Sequence, residues 1–287
     1  MALSDLAGIA RIQGRFADAL ATDQEARNLF LLCGDQPGVA QCDLSLAATA
    51  LAQGHLAEVE SCLERARQMI VTMSHPALAD AAQHAQAWHD LATGQITRAA
   101  AQFHVQIADA QAAHDSWRVT RALRGLAAAL DRQGESHRAL AILTDVRQML
   151  HEDTDRAVQE AQIDTALGWA ALHADDLDIA IAHWHASLRV AHQALAYPLI
   201  VEILDGMAGV LLAQQQPDRA ARLLGAAAAL TDHLGITRWP VDRPAYEQQI
   251  TPCRAALGDA AFTEAWAVGQ RWTLDEAVAA ALEGISA

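Results

Sequence analysis

Residues 181–192 read IAHWHASLRVAH, with His183, His185 and His192 set around Trp184. Histidines this dense could bind a metal ion or pass a proton. The spacing argues otherwise. On a helix His183 and His185 point about 200° apart, and His185 lies about 10 Å along the axis from His192. Neither pair reaches a single zinc ion, whose ligand bonds are about 2 Å long. A metal site would need ligands from another helix, and the chain has no HExxH, so structural or solvated histidines are expected and no metal is called for. His151, Glu152, Asp153 and Asp155 form a second polar cluster, read as a solvated loop between helices and not as a carboxylate dyad. There is no GxSxG, no GxGxxG following a strand and no defensible Cys–His pair, so no catalytic residue and no cofactor are assigned.

Composition narrows the chemistry further. The 287 residues contain 35 acids and 20 bases, a formal charge of −15, and every base is arginine. Without lysine there is no Walker A amine, Schiff base or lysine general base. An acidic chain repels phosphate backbones, so direct nucleic-acid binding is not expected. Cys33, Cys42, Cys62 and Cys253 lack metal-type spacing and read as reduced, buried small residues. With no signal sequence and no long apolar segment, the expected location is the cytoplasm, away from membranes.

The elements that carry these side chains are set by an internal repeat. Gly14, Gly54, Gly94 and Gly134 recur every 40 residues. Seven residues before that position stand Ala7, Ala47, Ala87, Ala127, Gly168 and Ala208; five after it stand Ala19, Val59, Ala99, Ala139, Ala180 and Ala220. A large side chain follows at Leu63, Phe103, Leu143, Trp184 and Leu224, with Asp23 as the exception. One residue is inserted between the fourth and fifth repeats. Each unit reads as a helix of about 14 residues, a glycine turn and a second helix of about 16. Pro37, Pro76 and Pro198 stand where first helices begin. A single pair cannot bury its own apolar face, so neighbours must stack.

The fold class expected is therefore all-α: an α-solenoid of about six antiparallel helix pairs over residues 1–233, with a loop and capping helices over 234–287. The template resembles the tetratricopeptide repeat, whose small, glycine and alanine positions fall at this spacing. That repeat is usually ~34 residues long and ~40 is also a HEAT length, so longer second helices or longer connections would absorb the difference. At the C-terminal end Thr273 and Glu276 form a capping box, and Asp259 is a plausible cap for the preceding helix.

First helices line the concave side of stacked pairs. Projecting the template places His84, Trp88, Arg121, Arg124, Arg132, Trp169 and His173 there, with Thr165, Glu202 and Asp205. Arginine grips carboxylates bidentately and tryptophan offers a stacking face, so an acidic peptide or small anionic effector is one expectation. The competing reading pairs the arginines with neighbouring acids and uses the tryptophans to fill gaps. Gln86 and Asp90 stand where core residues belong, which makes the third repeat the least regular.

The segments ARLLGAAAALTDHLG and RAALGDAAFTEAWAVGQRWTLDEAVAAAL carry a second resemblance. Through Arg222 to Gly225, Leu257-Gly258, Phe262, Ala265-Trp266, Gly269 and Thr273/Glu276/Ala277, they are similar to the closing part of helical-repeat regions in large bacterial signal-transduction ATPases of the LuxR and SARP regulator type. That resemblance implies a sensor or scaffold segment, cut from a larger protein or encoded alone, that binds a protein partner or an inducer. It does not imply nucleotide or DNA binding here, since the chain has no P-loop and ends at GISA. The abrupt start at Met1 further suggests self-association through an uncapped first repeat.

Overall fold

A computed structural model describes residues 2–150 and 157–283; the charged cluster at 151–155 lies outside the described residues. The described residues are all-α, without a strand. In chain order the helices are α1 (Ala2–Ile12), α2 (Phe16–Cys33), α3 (Gln36–Gln53), α4 (Leu56–Met73), α5 (Pro76–Ala92), α6 (Ile96–Ala112), α7 (Ser116–Arg132) and α8 (Ser136–Leu150). They continue as α9 (Ala157–His173), α10 (Leu177–Gln193), α11 (Tyr197–Ala213), α12 (Pro217–Leu234), α13 (Arg243–Leu257), α14 (Asp259–Gln270) and α15 (Leu274–Leu282). The expected helix-pair architecture is the one observed. The chain forms two compact units, Met1–Ala129 with Leu234–Val241, and Leu130–His233 with Asp242–Ala287.

The extra length of the repeat lies in the helices: the longer second helices are found, the first helices are longer as well, and longer connections are not what absorbs it. Both helices of a pair are long, 18 residues in α3 and α4 and 17 in α5 and α6, and the connections are short. Each described connection from α1 to α12 turns on one left-handed residue. Gly14, Gly54, Gly94 and Gly134 do this within pairs, with Asp175 and Gln215 taking over where glycine is lost. Gly34, Ser74, His114, Leu195 and Gly235 do the same between pairs. A non-glycine residue pays about 1 kcal/mol for this conformation, so the short turn is worth more than the local strain. Prolines 37, 76 and 198 stand in the first turns of α3, α5 and α11, where no N–H is needed.

The core follows a rule of matched sizes between each second helix and the first helix of the next pair. Phe103 of α6 faces Gly125 of α7, where a Cβ would stand 2.3 Å from the ring. Trp184 of α10 is held on two sides, by Gly168 of α9 and Gly206 of α11, where Cβ atoms would stand 2.4 and 2.3 Å from the indole. At the corresponding positions, smaller Leu63 has Ala85 in its cluster, and buried Asp23 has Ser45. Burial pushes the Asp23 carboxyl up, while Ser45 and Arg11 pull it down. Side chain and hole are thus fitted pair by pair.

Buried ion pairs recur at the same junctions. Asp43 of α3, fully buried, accepts from Arg27 Nε of α2 at 3.1 Å and from Arg65 of α4 at 2.7 and 2.9 Å. Asp164 of α9 is held likewise by Arg147 of α8 at 2.6 Å and His183 of α10 at 2.8 Å. Replacing Asp43→Ala leaves two arginines without their acceptor, but both keep a path to water. The expected cost is therefore about 1–2 kcal/mol, below the 3–5 of an enclosed pair, and is read from the urea midpoint.

The C-terminal helices are fixed by bare backbone. A Cβ at Gly225 of α12 would stand 2.3 Å from the Trp266 carbonyl oxygen, and one at Gly269 of α14 1.9 Å from that of Arg222. The glycines named in the family resemblance are thus a helix crossing point. Thr273 and Glu276 form the expected capping box on α15. Asp259 is not a cap: Gly258 occupies that position at φ 78°, and the Asp259 side chain faces Arg254 at 3.8 Å.

Candidate functional site

The histidine-rich stretch resolves into structural contacts. Trp184 is fully buried and donates from Nε1 to the Thr165 carbonyl at 3.2 Å. His183 meets Asp164, and His192 Nε2 meets Asp275 of α15 at 2.8 Å. Burial, with Arg189 alongside, holds the His185 pKa below its ordinary value. Among the described residues no three His, Cys, Asp or Glu side chains are grouped to hold a metal. Cys42, Cys62 and Cys253 are buried as free thiols, whereas Cys33 is exposed.

In the first unit, four of the expected residues come together where α5 meets α7. His84 and Trp88 stand one turn apart on α5, and Arg121 and Arg124 nearly one turn apart on α7. Trp88 Nε1 donates to His84 Nε2 at 3.0 Å. His84 must then carry its proton on Nδ1, which donates to Gln106 Oε1 of α6 at 2.9 Å. Burial, with Arg121 and Arg124 close by, pushes the His84 pKa down to about 3, so the ring is neutral at pH 7. Phe103 packs edge-on against both His84 and Trp88, with centroids 5.7 Å away.

The arginines are answered from within. Asp80, one turn before His84, takes both Arg118 and Arg121, and Arg121 also lies over the Trp117 ring at 4.7 Å. Burial alone would push the Asp80 carboxyl up, but the two guanidinium groups hold it below its ordinary value. Arg124 lies 5.7 Å over Trp88. What this face presents is therefore an arginine-backed aromatic surface, with Trp117 48% exposed. Asp80 and Gln106 give no signal as bases or aromatics, and Trp117 and Arg118 stand in the first turn of α7, outside the positions that the repeat template projects onto the groove.

Trp88 has a further neighbour from far along the chain. Trp239 packs against it with centroids 6.2 Å apart, and its Nε1 donates to the Leu51 carbonyl at 2.9 Å. Thr237 N donates to the Gln53 carbonyl at 2.8 Å.

The remaining residues lie in the second unit. Arg132 is paired with Asp242 at 2.9 Å. Trp169 packs edge-on against Trp184 with centroids 5.5 Å apart and lies tilted against His173 at 5.7 Å, and His173 Nδ1 meets Asp131 at 2.9 Å. Thr165 and Asp205 are buried, so first helices here do not present those positions to solvent.

A second polar feature lies beside the third pair. Glu60, Arg67, Gln86, His89, Asp90, Gln95 and Arg98 line a recess of about 300 Å³. Gln86 accepts from Arg67 and donates to Asp90 at 2.6 Å, and Arg98 Nε stands 3.1 Å from the other Asp90 oxygen. The two irregular residues of the repeat are its organising members.

A profile of the tetratricopeptide repeat matches residues 1–70. Three mycobacterial proteins are similar to the chain at 36% identity over 124 residues: HTH-type transcriptional regulators of Mycobacterium bovis and of two Mycobacterium tuberculosis strains. The alignment covers 43% of this chain and 13% of each relative, so the chain matches only a small part of much longer proteins. The expectation that excluded nucleic acid is overturned by these relatives. Net charge bears on sequence-independent contact with phosphates, and it says nothing of a regulator whose DNA reading resides in other residues. No described helix is long and apolar enough to cross a membrane. The chain carries a tetratricopeptide-like helical-repeat region and is distantly similar to bacterial HTH-type regulators.

Proposed function

We propose that this chain is the sensing part of a bacterial transcriptional regulator and works by binding, without catalysis. The observation that carries this reading is the similarity to HTH-type regulators over a region that is 13% of their length, in a chain built of helix pairs. Such a region supplies surface to a larger protein. The resemblance of residues 221–282 to LuxR- and SARP-type ATPase regulators belongs to the same reading: occupancy of the repeats is passed to a nucleotide-binding domain and so to transcription. The binding face is that of α5 and α7 around Trp88, Trp117, His84, Arg121 and Arg124 in the first unit; Arg132, Trp169 and His173 are separate candidate positions on the second unit.

The test is cross-linked affinity capture from the source cells, with proteins identified by mass spectrometry. Trp117→Ala removes an exposed ring and should leave the melting temperature unchanged. A bound protein should be recovered about tenfold less with Trp117→Ala than with the intact chain. Equal recovery overturns the assignment to this face.

The recess around Asp90 favours a second reading, an effector pocket. Two arginines, a histidine and two acids suit a small zwitterion. A saturable thermal shift with a metabolite pool, lost in Gln86→Leu, is the expected result; a shift that survives in that variant rules the recess out.

A further inference from the structure

The segment Ile236–Trp239 is helix-free and belongs to the first unit although α12 before it and α13 after it belong to the second. It lies on the C-terminal end of α3. The last carbonyls of a helix lack intrahelical partners. Here Gln53 O takes the Thr237 N–H, and Leu51 O, which already accepts the Gly54 N–H at 3.0 Å, takes the Trp239 indole N–H as well, so the segment covers a helix end 184 residues away from Thr237. The approach requires Gly54: a Cβ there would stand 1.8 Å from the Thr237 carbonyl oxygen. Gly94 has the same turn conformation one repeat later, and nothing lies within 4 Å of its Cβ position. The ledge therefore sets this pair apart from the one after it, with Trp88 as its aromatic wall.

We propose that this ledge is a peptide-binding site, and that residues 236–239 are its occupant in cis, displaced when a partner protein offers an extended segment of the same chemistry. That chemistry is explicit: a main-chain N–H for Gln53 O, and two residues on a tryptophan whose indole N–H reaches Leu51 O while its ring covers Trp88. The proposal names the ligand class of the first-helix face and so rests on reading that face as a binding surface. A tethered occupant holds its site at a millimolar-order effective concentration, so a competitor in trans binds weakly until the tether lets go. The segment is then a threshold on partner binding.

The test uses the full chain and a fluorescently labelled peptide of residues 234–241, LGITRWPV, blocked at both ends. Trp239→Ala empties the aromatic part of the ledge without touching its walls. The peptide should bind this variant saturably and bind the unaltered chain at least about tenfold more weakly. The same peptide with alanine for tryptophan should bind neither. A Trp239→Ala chain that melts as the unaltered chain does yet fails to bind overturns the proposal, as does equal affinity for both chains. A dimer that Trp239→Ala converts to monomer overturns it differently, since the occupant is then the segment of a second copy. Peptide titration requires no cellular partner, so its failure and the failure of the capture experiment are separate results.

Discussion

Gly206→Ala should destabilise the protein by about 2 kcal/mol, although glycine to alanine inside a helix ordinarily gains about 1. The reason is the indole of Trp184. The new methyl would stand 2.3 Å from it, and a Cβ at Gly168 would stand 2.4 Å from the same ring, so the backbones of α9 and α11 both crowd the indole and leave it little room to shift. Overpacking of this kind typically costs about 1–3 kcal/mol, and here both neighbours are helix backbone. Trp184→Leu alone should cost about 3 kcal/mol through the cavity it leaves. Combined, the two should cost at least 1 kcal/mol less than their sum, because leucine is the side chain that Ala85 accommodates at the corresponding place in the second pair. Urea midpoints of the two single variants and the double variant decide it. Strict additivity would mean that the glycine is not there for the ring.

Lowering the pH from 7 to 5 should remove about 2 kcal/mol of stability through His84 alone. In the unfolded chain its imidazole takes a proton near pH 6.5. In the fold it resists protonation down to about 3, because it is buried, with Arg121 and Arg124 nearby. The unfolded state therefore binds the extra proton first, and stability falls as pH drops below 6.5, by about 1.4 kcal/mol per unit. Asp80 and Gln106 pull in the opposite direction but do not reverse the sign. His84→Gln, which cannot titrate, should lose about 1 kcal/mol at pH 7 with the Trp88 and Gln106 contacts, yet lose about 2 kcal/mol less than the unaltered protein on going to pH 5. Denaturant titrations at the two pH values measure the difference. An unchanged pH dependence would place the acid-sensitive group elsewhere.

The repeat was legible because a stacked helix pair imposes size limits at fixed places, and Ala47, Ala87 and Ala127 show them without any knowledge of the neighbours. The turn was legible through Gly14, Gly54, Gly94 and Gly134. It was not legible at Ser74, His114 and Leu195, where a left-handed residue is tolerated only because the helices on either side are held by packing. Trp184 could be assigned to the core by its place in the template. The pairing of Trp184 with Gly206 lay in the sequence as well, but it joins a second helix to the first helix of the following repeat. An alignment of whole repeats hides that relation.

The candidate site was half readable. Arg121 and Arg124 share a helix face as expected, and the three-residue spacing sufficed to say so. That Asp80 would take the charge of Arg121 depends on the offset between α5 and α7, which no local pattern carries. Trp239 was beyond reach for a plainer reason: its contacts with Leu51 and Trp88 close a very long loop, and long-range closure leaves no periodic trace.

The fitting of Phe103 to Gly125 and of Trp184 to Gly206 has a consequence for how such a chain can be rearranged. Crossovers placed in the turns between pairs, where repeats are conventionally divided, separate Phe103 from Gly125 and Trp184 from Gly206, although they keep Trp184 with Gly168. Crossovers placed at Gly94 and Gly134, inside the pairs, would carry Phe103 and Gly125 together as one cassette. Heritable shuffling and laboratory chimeras should both tolerate the second set of breakpoints better, so the natural module of exchange is offset by half a repeat from the one the eye first picks out.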